Sequence, residues 1–515
     1  MVKVYSDYIV VSKDDPSYFP LSINLKFKFK ERKIVTKRRT IKIPSTTELL
    51  YSDYNDMMFI PRGLLSLISE YIKNSNVIFV ERKTNISNTE NIIKNINNYK
   101  NILDGITLRN EQIEAVKRAL INKRCIIQMG TGSGKSEVMC AITKCLADTN
   151  NGIIPTVLVM EPTIRLKTEM IERFRKYSIP CVDYSENRKI IDNCVNICHP
   201  QSLGNDLKKD LELLNNVQVL FGDEGHHMKS ESWRSPTKMM KNLEYSIVVS
   251  ASAIDQSHIN GKNISNFSYN ELLVIGSSGP IVYNIAAGSL INKGSLAKPV
   301  LIVLRNLANE EIENYKRNYL NWNIVSKIRL QSKARTELIA KTSEFFSNKN
   351  RKSLILVHTR SWAYEIMKVL NELGISERAR CSFGGGIFEK YNGYEFERDN
   401  DNVFEKFSSG EISILIGTSH LYEGVDIPNL DVLILAYGGR NERLQLQGVG
   451  RVLRKTKSGN KAYIVDFTDS EDIVLSSQCN KRMKRYEDII GIKKEDIYYD
   501  IDIDTLDYIF NIYEN

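Results

Sequence analysis

At 515 residues, 42% hydrophobic and 26% charged, the chain has the composition of a folded globular protein, which excludes fibrous and disordered classes and leaves room for about three domains. No apolar run approaches the ~18 residues of a membrane span and Met1 to Ile9 has no apolar signal core, so a cytoplasmic location is expected. Net charge is +9, and the stretch Lys26 to Lys42 holds nine Lys/Arg against one acid, Glu31, so nearly all of the excess sits in one place. Such a patch is the footprint of a polyanion partner or a solvated hairpin face.

Residues 1–98 read as a small α+β accessory domain and linker. Leu25 to Lys30 alternates apolar and basic, a period of two that puts Lys26, Lys28 and Lys30 on one face of a strand. A second strand is expected over Arg39 to Ile43, with Arg38 and Arg39 extending the basic surface. Leu64 to Ile72 is an amphipathic helix, and Lys83 to Asn101 is a polar linker with room for one helical turn.

From Leu108 onward strands and helices alternate, the pattern of a parallel sheet with covering helices. The pivotal stretch is Gln128-Met129-Gly130-Thr131-Gly132-Ser133-Gly134-Lys135-Ser136, between the apolar strand Cys125 to Ile127 and a helical pattern from Glu137 to Leu146. Strand, glycine-rich turn, helix is the context a phosphate loop needs, because glycines let backbone N–H groups and the helix N-terminus converge on an anion. Lys135 then reaches the β/γ-phosphates and the Ser136 hydroxyl binds Mg²⁺. Met129 stands where the strict pattern has glycine, and taken alone the stretch is also compatible with a glycine-rich turn in an ordinary α/β protein.

Val157 to Met160 and Val195 to Cys198 are further strands. Cys194-x-x-x-Cys198-His199 has no second Cys/His pair at zinc-finger spacing, so the eight cysteines are expected to be structural. Val217 to Phe221 runs into Gly222-Asp223-Glu224-Gly225-His226-His227. Adjacent carboxylates at a strand end repel, and a metal ion would relieve that, with Asp223 holding Mg²⁺ and Glu224 orienting or deprotonating the attacking water; the alternative is a turn that happens to be acidic. Ile247 to Ser250 precedes Ala251-Ser252, and the alternation pauses between Asn284 and Pro299.

A second α/β unit follows. Its strands are expected at Leu354 to Val357, Ile412 to Ile416, Val432 to Leu435 and, closing the sheet, Ala462 to Phe467. Gln445 to Arg454 reads as a helix with Arg451 and Arg454 on one face, suited to a polyphosphate. The acidic, aromatic tail from Glu495 onward suggests no function.

In their order, these motifs resemble those of superfamily 2 helicases, over Arg109 to Arg454. The resemblance implies an α/β fold of two tandem RecA-like domains with nucleotide in the cleft between them: 99–295 as the ATP-binding domain and 296–515 as the C-terminal domain, after the accessory domain 1–98. It implies that Arg109 and Gln112, in Leu-Arg-x-x-Gln, read adenine. Gly130, Thr131, Gly132, Ser133, Gly134, Lys135 and Ser136 hold the phosphates. Asp223-Glu224-Gly225-His226 is the Asp-Glu-x-His box, with glycine for the commoner alanine. Ser250-Ala251-Ser252 couples hydrolysis to domain movement, and Gln447, Gly450, Arg451 and Arg454 match Gln-x-x-Gly-Arg-x-x-Arg, whose arginines act at the γ-phosphate. Gly424 and Asp426 lie at the ribose or at the link to the track. Strand contacts are implied for Pro162, Thr163, Ser202, His358, Arg360, Thr418 and Glu423, mostly to phosphates and therefore of low sequence specificity.

Within the superfamily the chain resembles phage recombination helicases of the UvsW type and their XPB-like relatives. The expected activity is an ATP- and Mg²⁺-dependent DNA helicase or translocase that unwinds or branch-migrates DNA in recombination, replication or repair, working in the host cytoplasm if phage-encoded. The basic Lys26 to Lys42 face then holds duplex, forked or branched DNA. Two alternatives stand beside it: an RNA helicase remodelling ribonucleoprotein, since a groove of backbone contacts accommodates RNA, and a motor subunit of a larger restriction or repair complex.

Overall fold

Alternating strands at the N-terminus give way to continuously apolar ones, and the sheets change character accordingly. The computed structural model describes residues 1–515 except 6–7, 30–31, 36–39, 44–45, 81–88, 306–329, 384–399, 419–420, 422–426, 428, 439–441, 457–458, 469–472 and 515.

The N-terminal strands are β1 (Val2–Val4), β2 (Tyr8–Ser12), β3 (Lys26–Phe29), β4 (Arg32–Val35), β5 (Thr40–Ile43), β6 (Thr46–Leu49), β7 (Ser52–Tyr54), β8 (Met57–Pro61) and β9 (Val77–Phe79). Five of them form one sheet in the order β7-β8-β2-β1-β9, while β3 pairs with β6 and β4 with β5 as two-stranded ribbons. Alternation selects the buried face: Val2, Val4, Ile9, Val11, Met58 and Ile60 are buried, and the helix Leu65–Ile72 adds Leu67, Ile68 and Ile72. The polar stretch read as a linker contains a short helix, Glu90–Lys94, and a 3-10 turn, Ile96–Asn101.

The next seven strands are β10 (Arg124–Met129), β11 (Val157–Met160), β12 (Cys181–Asp183), β13 (Val195–Cys198), β14 (Val219–Asp223), β15 (Tyr245–Ser250) and β16 (Ile281–Ile285). They form one sheet in the order β12-β13-β11-β14-β15-β10-β16, parallel throughout. Helices cover both faces of such a sheet, which is why β11, β13, β14 and β15 are buried along their whole length. The N-terminal sheet shares one apolar core with one face of this sheet, running from Val2 and Ile60 through Leu272 to Leu158 and Val248.

A second parallel sheet holds β17 (Lys298–Arg305), β18 (Ser353–Leu356), β19 (Ala379–Ser382), β20 (Ile414–Gly417), β21 (Val432–Leu435), β22 (Lys461–Thr468) and β23 (Ile497–Ile501), in the order β19-β20-β18-β21-β22-β17-β23. The expectation that Ala462 to Phe467 closes the sheet is corrected here. That segment, β22, is interior; it pairs with β17, and β17 pairs in turn with β23 from the acidic, aromatic tail. The tail supplies an edge strand and then the helix Leu506–Glu514, whose Leu506, Ile509 and Phe510 enter the core of this sheet. The physical reason is that β17, apolar and buried from Pro299 to Leu304, would otherwise leave an open edge.

The chain divides into two compact units, one of Met1–Met129 with Gly134–Ile285 and the other of Gly130–Ser133 with Ala286–Asn515. All eight cysteines are free, and no group of metal-ligating side chains stands out among the described residues. Among those residues no helix is long and apolar enough to cross a membrane.

Candidate nucleotide and nucleic-acid site

The glycine-rich stretch follows β10 directly. Met129 is the last residue of that strand, wholly buried and paired with Ile285, so its side chain belongs to the sheet. Gly132 and Gly134 have φ of +79° and +81°, a left-handed conformation that glycine adopts without steric cost. Gly134 caps the helix Lys135–Thr149, so the loop ends on a helix N-terminus, where free N–H groups favour an anion.

The helix Asn110–Asn122 brings Gln112 against this loop. Its Oε1 accepts from Arg109 N at 2.9 Å and its Nε2 donates to Gly134 O at 3.3 Å. Arg109 is salt-bridged to Glu111 at 3.1 Å. A β-carbon at Gly134 would lie 2.1 Å from Gln112 Nε2, so the absence of a side chain lets Gln112 approach.

At the end of β14, Asp223 is buried, and Glu224 takes a left-handed backbone with φ of +48°. That conformation is strained for a non-glycine residue; here it lets Glu224 N donate to Asp223 Oδ1 at 2.9 Å. Burial and repulsion from Glu224 push the Asp223 carboxyl up to about 6, against the pull of Lys135. Glu224 Oε2 lies 3.4 Å from His226 Nδ1 and 3.5 Å from the Ser250 hydroxyl at the end of β15. The segment after β15 is clasped by buried Gln128, whose amide donates to Ile254 O and accepts from Ile254 N, both at 3.0 Å.

Pro162 and Thr163 follow β11, and Ser202 lies on the helix Pro200–Leu207 that follows the adjacent strand β13. Thr163 caps the helix Ile164–Lys176 by accepting from Leu166 N at 3.2 Å. His199 Nδ1 accepts from Gln201 N at 3.3 Å, which leaves the proton on Nε2 to donate to Pro162 O at 3.1 Å. His199 thus ties the start of the helix bearing Ser202 to the segment bearing Pro162 and Thr163. In the sequence it stands out only as a neighbour of cysteines.

In the second unit, His358 Nε2 hydrogen-bonds Gly438 O at 3.1 Å, and the Arg360 guanidinium lies over the Phe383 ring at 5.5 Å. Thr418 is half-buried just after β20. Arg451 is buried on the helix Glu442–Val452, whereas Arg454 lies beyond its end. The two arginines therefore do not share a helix face; the chain turns between them, with Arg454 N bonded to Arg451 O at 3.4 Å. The same helix carries Gln445, whose amide donates to Arg482 O at 3.0 Å. Arg482 pairs with Asp466 at 2.9 and 3.0 Å, both wholly buried, and Tyr486 donates to the same carboxylate. Lys26 and Lys28 are exposed on β3, opposite Leu49 and Thr47. Lys30, Arg38, Arg39, Glu423, Gly424, Asp426 and the side chain of Gln447 lie outside the described residues.

The family model of the type III restriction enzyme res subunit matches residues 105–254, and that of the helicase conserved C-terminal domain matches residues 334–456. Over 418 residues the chain is 24% identical to the DNA 3'-5' translocase XPB2 of Sulfurisphaera tokodaii, covering 73% of this chain and 84% of the relative. Over 386 residues it is 22% identical to the ATP-dependent DNA helicase uvsW of Enterobacteria phage T4, covering 72% and 70%. The DNA-bound helicase MrfA has a like fold, with a TM-score of 0.55 and 14% identity over 81% of this chain and 58% of that one. The two parallel sheets are thus tandem RecA-like domains, and the chain belongs to the superfamily 2 helicases, close to the UvsW-type and XPB-like DNA helicases.

Proposed function

We propose that this chain is an ATP-dependent DNA translocase that unwinds or branch-migrates DNA, with 99–295 and 296–515 as its motor domains and 1–98 as a duplex-holding accessory domain. One observation carries the reading. The C-terminal edge of a single parallel sheet presents the glycine loop of β10, the Asp223–Glu224 pair of β14 and Ser250 of β15, which are the parts phosphoryl transfer to water requires.

The residues fit a nucleotide with a divalent cation. The loop offers backbone donors and Lys135 to phosphate, and the raised, buried Asp223 carboxyl is a group whose charge a cation would stabilise. Ser136 and Asp223 are the residues to hold Mg²⁺, which neutralises charge building up on the phosphates. Gln112 and Arg109 are placed beside the loop for adenine. Glu224 orients the water or takes its proton, and its link to Ser250 joins the hydrolytic residue to a neighbouring strand. Arg451, Arg454 and Gln447 act on the γ-phosphate, and Gly424 and Asp426 serve the ribose or its link to the track. Pro162, Thr163, Ser202, His358, Arg360, Thr418 and Glu423 grip one strand by its backbone. Lys26, Lys28, Lys30, Arg38 and Arg39 hold duplex by its phosphates. The DNA named in the XPB2 and uvsW relatives favours DNA over RNA as the track.

The test is the ATPase rate with single-stranded, duplex and branched DNA and with RNA. Stimulation by DNA, strongest with branched DNA, is expected; stimulation by RNA alone would overturn the reading.

A further inference from the structure

One buried acid takes no part in the mechanism above. Glu161 follows β11 and is wholly buried, and among the described residues neither of its carboxyl oxygens has a hydrogen-bond partner. An unpaired buried polar group costs stability, so a packed core does not explain its presence.

The sheet register shows where it lies. Met160 is level with Gly222 across the β11–β14 ladder, and Glu161 N continues the ladder on the other side by donating to Cys198 O at 2.9 Å. The next step along both strands sets Glu161 beside Asp223, on strands about 4.8 Å apart. Level neighbours in a parallel sheet project to the same face, so Glu161 and Asp223 face the same side. The electrostatics agree: after burial, Asp223 and then Glu224 do most to hold the Glu161 carboxyl well above its usual range.

We infer that Glu161 is a positioning residue of the metal–nucleotide site, accepting a hydrogen bond from water bound to the divalent cation that Asp223 holds. This rests on the nucleotide-site reading above. Three acids crowded at one sheet edge repel one another, and a divalent cation with its hydration shell is the ligand that relieves this while supplying the O–H donors that Glu161 lacks. Such outer partners typically contribute about 10–100-fold to metal affinity.

The test uses the full chain, with ADP and Mn²⁺ as probes. ADP affinity is measured with and without Mn²⁺ for the wild type, Glu161→Gln, Glu161→Leu and Asp223→Asn, alongside thermal unfolding of each without ligand. The two Glu161 variants should bind ADP alone as the wild type does and lose about tenfold or more of the tightening that Mn²⁺ brings. Glu161→Leu should also raise the unfolding midpoint of the ligand-free protein. Wild-type tightening in both Glu161 variants overturns the inference, as does equal loss of ADP binding with and without the metal, which would mark a structural role. Loss of tightening in Asp223→Asn alone defeats only the role of Glu161; full tightening in Asp223→Asn defeats the nucleotide-site reading itself.

Discussion

Gly225 lies so close to Val248 of β15 that a β-carbon on it would sit 1.9 Å from the Val248 Cγ1. This accounts for glycine where the Asp-Glu-x-His box more often has alanine: the neighbouring strand already fills the space. Gly225→Ala must displace β15 or the turn that holds Glu224. It should cost about 1–3 kcal/mol and most of the ATP turnover, read by chemical denaturation and a phosphate-release assay. Trimming the obstacle with Val248→Ala in the same chain should restore turnover in part. Unchanged stability and rate in Gly225→Ala would show that the turn yields freely.

Lys135 is the first residue of the helix that Gly134 caps. Lys135→Ala should abolish turnover while leaving much of the DNA affinity, because the residues proposed for phosphate and those proposed for the track are different. Stopped hydrolysis with a DNA titration near wild type is the expected pair of results; retained hydrolysis would refute the phosphate-loop assignment.

Asp223 supplies a pH dependence. Its carboxyl titrates at about 6 in the folded chain against 3.8 ordinarily, so between these values the folded state binds more protons than the unfolded one. Without metal, the contribution of Asp223 to stability is greatest below the ordinary value, falls as pH rises through that window, and is flat above it. Metal binding runs the other way, because a cation competes with the proton: the affinity for Mg²⁺ with nucleotide should fall as pH drops below about 6. Thermal midpoints and Mg²⁺ titrations from about pH 4 to 8 check both slopes, and Asp223→Asn should flatten them. Glu161 is shifted in the same direction, so the comparison is best made in a Glu161→Gln background.

The Asp466–Arg482 pair anchors the helix that carries Arg451. Arg482→Met leaves a buried carboxylate without its partner and should cost about 3–5 kcal/mol, whereas Asp466→Leu combined with Arg482→Met should cost less. Denaturant titration of the three chains separates a missing charge partner from missing volume. An equal cost in single and double variants would mean that packing alone decides.

Lys26 and Lys28 are exposed and opposite uncharged partners on the ribbon. Replacing both with glutamine should weaken DNA binding for all sequences alike and reduce the slope of log affinity against log salt by about one for each phosphate that these lysines neutralise. An unchanged slope would make this face a solvated surface.

Much of the machinery is written locally. A strand, two glycines that need positive φ, and a helix starting at Lys135 are set by neighbouring residues, and so are the carboxylates ending β14, the period of two in Lys26 to Phe29 and the order of the motifs. Each depends on steric preferences and side-chain periodicity over a few residues. Tertiary structure alone decided the rest. Met129 proved to be a strand residue because β16 pairs with it. The tail became an edge strand because β17 was open on one side. Arg454 left the helix of Arg451. The signal that marks Asp223, an acid ending an apolar strand, is equally present at Glu161, but nothing in the chain order says which strand lies beside which. The order β11-β14-β15-β10 follows from how four apolar strands share one buried sheet, and that non-local pairing brings Glu161, Asp223, Ser250 and the phosphate loop to a single edge.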